Sequence, residues 1–223
     1  MRVKHTGSIA TLKRSAVRRI RAQFGHPSGF WGPAVGWILA SRPSNRRRNA
    51  WVVSLLEVQP RDRILEIGFG PGIAIQACSR LAVDGYVCGL DHSEEMFRQA
   101  TRRNREAIRT GRVDLRLGSV ESLPVFAEPF DKVLTVNTLM FWDHPIERLQ
   151  ELRRTMRPGG RIAIAHQPRG PGATDATAEA RGDAIAAALT RAGFSEVQVH
   201  TMPLTPPVAC AIGLKPFERG LRP

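Results

Sequence analysis

Apolar and polar positions along the chain recur with two periods, and the order in which those periods follow one another predicts the architecture. Between Leu12 and Phe24 the apolar residues Leu12, Ala16, Val17, Ile20 and Phe24 have helical spacing. Lys13, Arg14, Arg18, Arg19 and Arg21 lie between them, so a short basic amphipathic helix is predicted. Residues 25–36 mix Gly, Pro, Phe30 and Trp31, which predicts a capping loop or lid. A second helix is predicted from Asn45 to Glu57, with Trp51, Val52, Leu55 and Leu56 facing inward and Pro60 closing it.

From there strands and helices alternate. Strands are predicted at Arg63–Gly68, Tyr86–Leu90, Val113–Leu117, Lys132–Val136 and Arg161–Ala165, with helices at Gly72–Leu81, Ser93–Ile108 and Pro145–Met156. An Ala-rich helix, Ala176–Ala192, leads to two late strands, Glu196–Met202 and Val208–Leu214. The short turn around Pro203, Pro206 and Pro207 permits only antiparallel pairing of these two. The fold class is therefore α/β, a doubly wound and mostly parallel sheet with helices on both faces. Residues 1–44 are expected to form a basic N-terminal extension or lid and residues 45–223 one α/β domain.

Charge sharpens this division. Residues 1–50 hold eleven Arg and Lys residues and no acid, so only two of the thirteen net positive charges belong to the rest of the chain. Any polyanion or anionic surface is expected to meet the extension, although an Arg-rich, acid-free start is also what an organellar transit peptide carries. No apolar run reaches the ~18 residues that span a bilayer. Cys78, Cys88 and Cys210 lack CxxC or Cys/His spacing, so neither a disulfide framework nor a metal site is expected, and a reducing cytoplasm fits.

The candidate chemistry begins at Glu66-Ile67-Gly68-Phe69-Gly70-Pro71-Gly72, an apolar strand running into three alternate glycines and then a helix. Glycine lets backbone turn sharply and lets a ligand approach, and a helix N-terminus favours an anionic group. Glu66 supplies the opposite sign for a cationic group of the same ligand. A dinucleotide fingerprint would place its third glycine at position 73, where Ile73 stands. Asp91 ends the next strand, where an acid can accept the two hydroxyls of a ribose. A ligand-free turn at the glycines and a helix-capping role for Asp91 are the structural alternatives.

These residues resemble the class I S-adenosylmethionine-dependent methyltransferases, more narrowly the small-molecule and lipid enzymes of the ubiquinone/menaquinone type. Glu66 to Gly72 is similar to the family's first motif and Gly89-Leu90-Asp91 to the acidic end of its second strand. Gly118-Ser119-Val120-Glu121-Ser122-Leu123-Pro124 resembles the third motif, which borders adenine, and Phe130 to Asn137 the fourth. Leu152 to Arg161, with its Pro-Gly-Gly turn, looks like the lead into the fifth strand. The resemblance implies a seven-stranded Rossmann-like sheet with a reversed last strand and S-adenosylmethionine as cofactor. It implies a cofactor site of Glu66, Gly68, Gly70, Gly72, Asp91, His92, Ser119, Val120 and Asn137. The family usually has Asp where Ser119 stands, so an ionised acceptor for the adenine amino group is missing.

The acceptor is less defined. Asn137, Trp142, Asp143 and His166 follow strand ends and are expected in the cleft; His166 is the candidate general base, with packing under the C-terminal loop as its alternative. Residues 137–140 read Asn-Thr-Leu-Met, which lacks the Asn/Asp-Pro-Pro-aromatic signature of amino-methylated DNA bases, and none of the three cysteines follows a proline. A small apolar or lipid-like acceptor is expected, with the basic helix and the Phe30, Trp31, Trp37, Ile38 and Leu39 cluster touching a membrane surface. An RNA substrate held by the arm, an inactive cofactor-binding homologue and a nicotinamide dehydrogenase are the alternatives.

Overall fold

A computed structural model describes residues 43–168 and 173–217, so the basic helix, the lid and the Phe30/Trp31 cluster lie outside the described residues. The first described helix, α1, spans Pro43–Leu55. Its C-terminal half buries Val52 and Val53, whereas its N-terminal half buries the polar residues Asn45, Arg48 and Asn49. Glu57 follows with φ 53, a left-handed step that turns the chain before Pro60 is reached.

Seven strands make one sheet: β1 (Arg63–Ile67), β2 (Tyr86–Asp91), β3 (Val113–Leu117), β4 (Phe130–Val136), β5 (Met156–His166), β6 (Ser195–Met202) and β7 (Val208–Leu214). Their order is β3-β2-β1-β4-β5-β7-β6. β1 pairs in parallel with both β2 and β4, and β7 runs antiparallel to both β5 and β6. The chain thus leaves β1 toward one edge, returns to β4 and proceeds to the other. This opens a crevice at the C-terminal ends of β1 and β4, where open α/β sheets bind ligands.

Residue alternation along each strand feeds two apolar layers. Ile64, Val87, Val113, Leu134, Ala163 and Cys210 pack beneath α1, α2 (Ile73–Leu81), α3 (Glu94–Arg103) and α4 (Arg105–Arg109). Leu65, Cys88, Val133, Ile162, Ile164 and Ala211 pack beneath α5 (Pro145–Arg154) and α6 (Asp175–Arg191). Strands covered on both faces read as continuous apolar runs, as β7 and the second half of β5 do, whereas the edge strand β3 is only partly buried and mixes polar with apolar residues.

Several boundaries differ from the sequence expectation. The helix expected from Ser93 to Ile108 is two helices, broken at Asn104, whose Nδ2 donates to the carbonyls of Ala100 (2.9 Å) and Gly72 (3.2 Å). The helix expected to reach Met156 stops at Arg154, because Met156 already pairs with Phe130, and β5 runs through Pro158, Gly159 and Gly160 with a register shift opposite Asp131. That glycine pair extends the strand: Gly159 N–H donates to the Lys215 carbonyl, and Lys215 N–H donates to that of Gly160, both at 2.8 Å. Among the described residues no helix is long and apolar enough to cross a membrane.

Candidate active site

The site is built where β1 meets α2. Gly68, Gly70 and Gly72 have φ of 70°, 51° and 73°, a region closed to most L side chains. Their surroundings differ. A Cβ at Gly68 would collide with Thr138, and one at Gly72 would lie 2.7 Å from Asn104 Nδ2 and 2.8 Å from Ala100 Cβ, but one at Gly70 would meet nothing within 4 Å. Gly68 and Gly72 are thus glycines for packing, while Gly70 presents bare backbone to open space. α2 begins directly after this loop with no side-chain bond from its N-cap residue Gly72, and of its first-turn N–H groups that of Ile75 donates to Glu66, which leaves those of Ile73 and Ala74 for an anion.

Two buried carboxylates face the loop. Asp91, 6% exposed, accepts the Gly70 N–H on Oδ2 at 2.8 Å and the Ser93 N–H on Oδ1 at 2.9 Å, and His92 Nδ1 lies 3.9 Å from Oδ1. Burial raises its pKa above the ordinary aspartate value, and the backbone donors pull it partly back. The His92 backbone N–H is a third donor to this carboxylate, and with about four lone-pair directions it keeps capacity for a ribose hydroxyl.

Glu66 is 2% exposed, and its Oε2 has no hydrogen-bond partner. Burial is the main reason its pKa stands well above that of an ordinary glutamate. The Asp91 charge adds to the shift, and a hydrogen bond from the Ile75 backbone opposes it. An orphaned buried carboxylate oxygen calls for a cationic or hydrogen-bonding group.

The remaining expected residues fall around this centre. Ser119 is exposed and caps the 3₁₀ turn Val120–Ser122, its Oγ accepting the Glu121 N–H at 3.2 Å, while Val120 is buried. Gly118 N–H donates to the Asp91 carbonyl at 2.9 Å, which joins this turn to the end of β2. Asn137, left-handed at φ 61, ends β4, and its Oδ1 accepts the Gln167 N–H at 2.7 Å. His166 is the half-buried last residue of β5, opposite Ala209 of β7. Trp142, expected in the cleft, is buried in the layer that also holds Val120, Leu149 and Leu152. Asp143 is exposed, and its N–H donates to Glu121 Oε1 at 3.0 Å. The three cysteines are buried thiols, with Cys88 pushed up to about 11 and Cys210 to about 12, so none is poised as a nucleophile.

Sequence reasoning missed the residue that ties these loops together. Buried Gln167 accepts Arg48 Nη1 on Oε1 at 2.7 Å, and its Nε2 donates to the Pro206 carbonyl at 2.7 Å. With its backbone bond to Asn137, it joins α1, β4, β5 and the β6–β7 turn at one end of the sheet. No local signal marks Gln167, because its three partners are distant in sequence. Arg48 did carry one, since Asn45, Arg48, Asn49, Val52 and Val53 share helical spacing and place polar residues on an otherwise apolar face.

Bare backbone at Gly70, an orphaned Glu66 oxygen and a ribose-competent Asp91 fit S-adenosylmethionine, which brings a carboxylate, two positive groups and a ribose. Comparison with known proteins agrees. Residues 65–164 match the model of a methyltransferase domain family. An uncharacterized methyltransferase of Bacillus subtilis, YdaC, is 32% identical over 183 residues, covering 82% of this chain and 98% of its own length. The ubiquinone/menaquinone biosynthesis C-methyltransferase of Geotalea daltonii is 24% identical over 121 residues, covering 54% of this chain and 52% of its own. In fold, the chain resembles the crystal structure of an S-adenosylmethionine-dependent methyltransferase from Aquifex aeolicus, with a TM-score of 0.65 at 18% identity, covering 82% and 97% of the two chains. Given a relative matched over nearly its whole length, together with the sheet order and the glycine crook, the chain belongs to the class I S-adenosylmethionine-dependent methyltransferases and is an enzyme that uses that cofactor.

Proposed function

We propose that the enzyme methylates a small, apolar or lipid-like molecule, and that Glu66, Gly68, Gly70, Gly72, Asp91, His92, Ser119, Val120 and Asn137 hold the cofactor. The observation that carries the acceptor class is the 3₁₀ turn Leu139–Phe141, which exposes Met140 (51%) and Phe141 (45%). It follows Thr138, the residue packed against Gly68, so a solvent-facing apolar surface starts at the glycine loop itself. Exposed large apolar side chains beside a site favour an apolar ligand.

Bound S-adenosylmethionine supplies a methyl group on a positively charged sulfur, a very good leaving group. The protein's task is then alignment and exclusion of water. In this reading Asp91 accepts the ribose hydroxyls and the α2 N-terminus receives the carboxylate. The backbone N–H of Val120 serves the adenine, because Ser119 carries no charge. Asn137 and Gln167 hold the ends of β4 and β5 in register, which sets the distance between the glycine loop and His166. His166 takes the proton of a hydroxyl or amine acceptor. The acid-free N-terminal arm supports contact with an anionic membrane surface.

The test is incubation of the full chain with methyl-labelled S-adenosylmethionine and a cell extract separated into lipid, small-molecule and RNA fractions. Label in the lipid or small-molecule fraction is expected. Label confined to RNA would replace this reading with RNA methylation through the basic arm.

A further inference from the structure

We propose that Glu66 carries a proton when the site holds no cofactor and gives it up to solvent as a cationic cofactor tail enters, so that cofactor binding is proton-linked and selective for positive charge. The inference rests on the cofactor-site reading above and adds the charge state of one of its residues.

Glu66 sits in the middle of the sheet, with β2 on one side and β4 on the other, and its neighbours in register, Gly89 and Leu134, carry no charge. It is 2% exposed and leaves Oε2 without a partner. Among the described residues no Arg, Lys or His forms an ion pair with it. The titratable groups that face it are both of the wrong sign to help: Asp91 at the end of β2 and the Cys78 thiol on α2, itself pushed up by burial and then by Glu66. On α1 the buried cation, Arg48, is directed to Gln167. An ionised carboxylate there meets a second carboxylate, little solvent and one backbone N–H, a combination that favours the neutral acid. The two carboxylates also differ: Asp91 receives backbone donors from Gly70 at 2.8 Å, from Ser93 at 2.9 Å and from His92, whereas Glu66 has one, so of the pair Glu66 is the member that keeps the proton.

A ligand bearing an ammonium and a sulfonium reverses this balance. Each positive group placed near the pair stabilises the ionised form, the O–H bond of Glu66 breaks, and the proton leaves to the buffer. No oxidant, reductant or further reactant is required. A consequence for selectivity follows: a ligand with the same adenosine but no positive charge gains nothing from Glu66 and meets a neutral acid.

The experiment is titration calorimetry of the full chain with S-adenosylmethionine, S-adenosylhomocysteine and 5′-methylthioadenosine. Each titration is run below about pH 7, where the ligands' amino groups stay protonated, in buffers of different ionisation enthalpy. Expected for S-adenosylmethionine is release of about one proton and a Kd that tightens roughly tenfold per pH unit while Glu66 is protonated in the free protein. The neutral 5′-methylthioadenosine should release none and bind independently of pH. Release should vanish in Glu66→Gln. If Glu66→Gln does not fold, the contrast between charged and neutral ligands on the wild-type chain decides. Tight, pH-independent binding of S-adenosylmethionine without proton release would overturn the proposal and leave the cofactor site standing. Failure of all three ligands to bind would remove both.

Discussion

The Gly70 N–H donates to Asp91 Oδ2 at 2.8 Å, so the loop after β1 is closed onto the end of β2 by the carboxylate assigned to the ribose. In the proposed function this one side chain both shapes the glycine crook and serves the cofactor, so a substitution there should act on both.

For Asp91→Asn two effects oppose. The amide removes a buried charge that burial already disfavours, but its NH₂ must face either Gly70 N–H or Ser93 N–H, leaving one donor unmet. Each is worth about 1–3 kcal/mol, so unfolding by urea should shift by less than about 1 kcal/mol. The Kd for S-adenosylmethionine should weaken tenfold or more in calorimetry, because the charged acceptor is lost. Unchanged affinity would leave Asp91 a purely structural cap.

The glycines should separate by role. Gly72→Ala adds a methyl against Asn104 and Ala100 at left-handed φ and should cost about 2–4 kcal/mol of stability. Gly70→Ala meets no atoms and should cost only about 1–2 kcal/mol, for the backbone, while weakening the cofactor at least tenfold. Denaturant melts with and without S-adenosylmethionine measure both quantities. Equal behaviour of the two variants would contradict the assignment of Gly70 to the ligand face.

Stability of the cofactor-free protein should depend on pH through Glu66. Its folded-state pKa lies above the unfolded value, so the native state binds the proton more tightly. The stability it contributes is full below the ordinary glutamate pKa of 4.5 and is lost as pH rises through the raised folded value. Glu66→Gln cannot lose a proton. The difference in urea midpoint between Glu66→Gln and wild type should therefore grow in favour of the variant across that window. A constant difference would mean that Glu66 does not titrate there.

Gln167→Ala removes the side-chain partners of Arg48 and the Pro206 carbonyl in a buried position and should cost about 2–4 kcal/mol in urea unfolding. Gln167→Glu keeps the acceptor for Arg48 but faces the Pro206 carbonyl with an oxygen, and should recover only part of the loss. Full recovery would show that the Pro206 bond contributes little.

Flotation should carry the full chain with vesicles containing anionic lipid but not with neutral ones. Binding should be released by roughly 0.5 M salt, since a basic arm acts through screened charge. Met140→Asp with Phe141→Asp should weaken it further if the apolar turn touches the same surface. Binding to RNA but not to vesicles at matched salt would favour the nucleic-acid reading.

Much of this was legible in the residues. Alternating apolar runs and helical stretches specified seven strands along the chain, because central strands buried on both faces must be apolar, while the edge strands β3 and β6 showed themselves by alternation of polar and apolar residues. The glycine loop and Asp91 were legible because their chemistry is local: a left-handed turn needs glycine, and a strand end next to a helix start needs an acceptor. The misreadings share one cause. The break at Asn104 depends on the Gly72 carbonyl, thirty-two residues away, and the early start of β5 depends on Phe130 across the sheet.

Sequence alone determined the succession of strands and helices and the doubly wound class, which follow from short-range patterns, and its ordered motifs carried the resemblance that implied the family and the cofactor; the order of strands in the sheet came from the tertiary structure. Tertiary structure decided which glycine faces open space, that Trp142 belongs to the core, and that Gln167 fastens α1 to the ends of β4 and β5. It also decided that Glu66 is left with a buried, unpartnered oxygen beside Asp91. The reason is physical: periodicity and turn chemistry act between neighbours in the chain, whereas burial, steric clearance and the pairing of charges arise only once distant segments exclude water together.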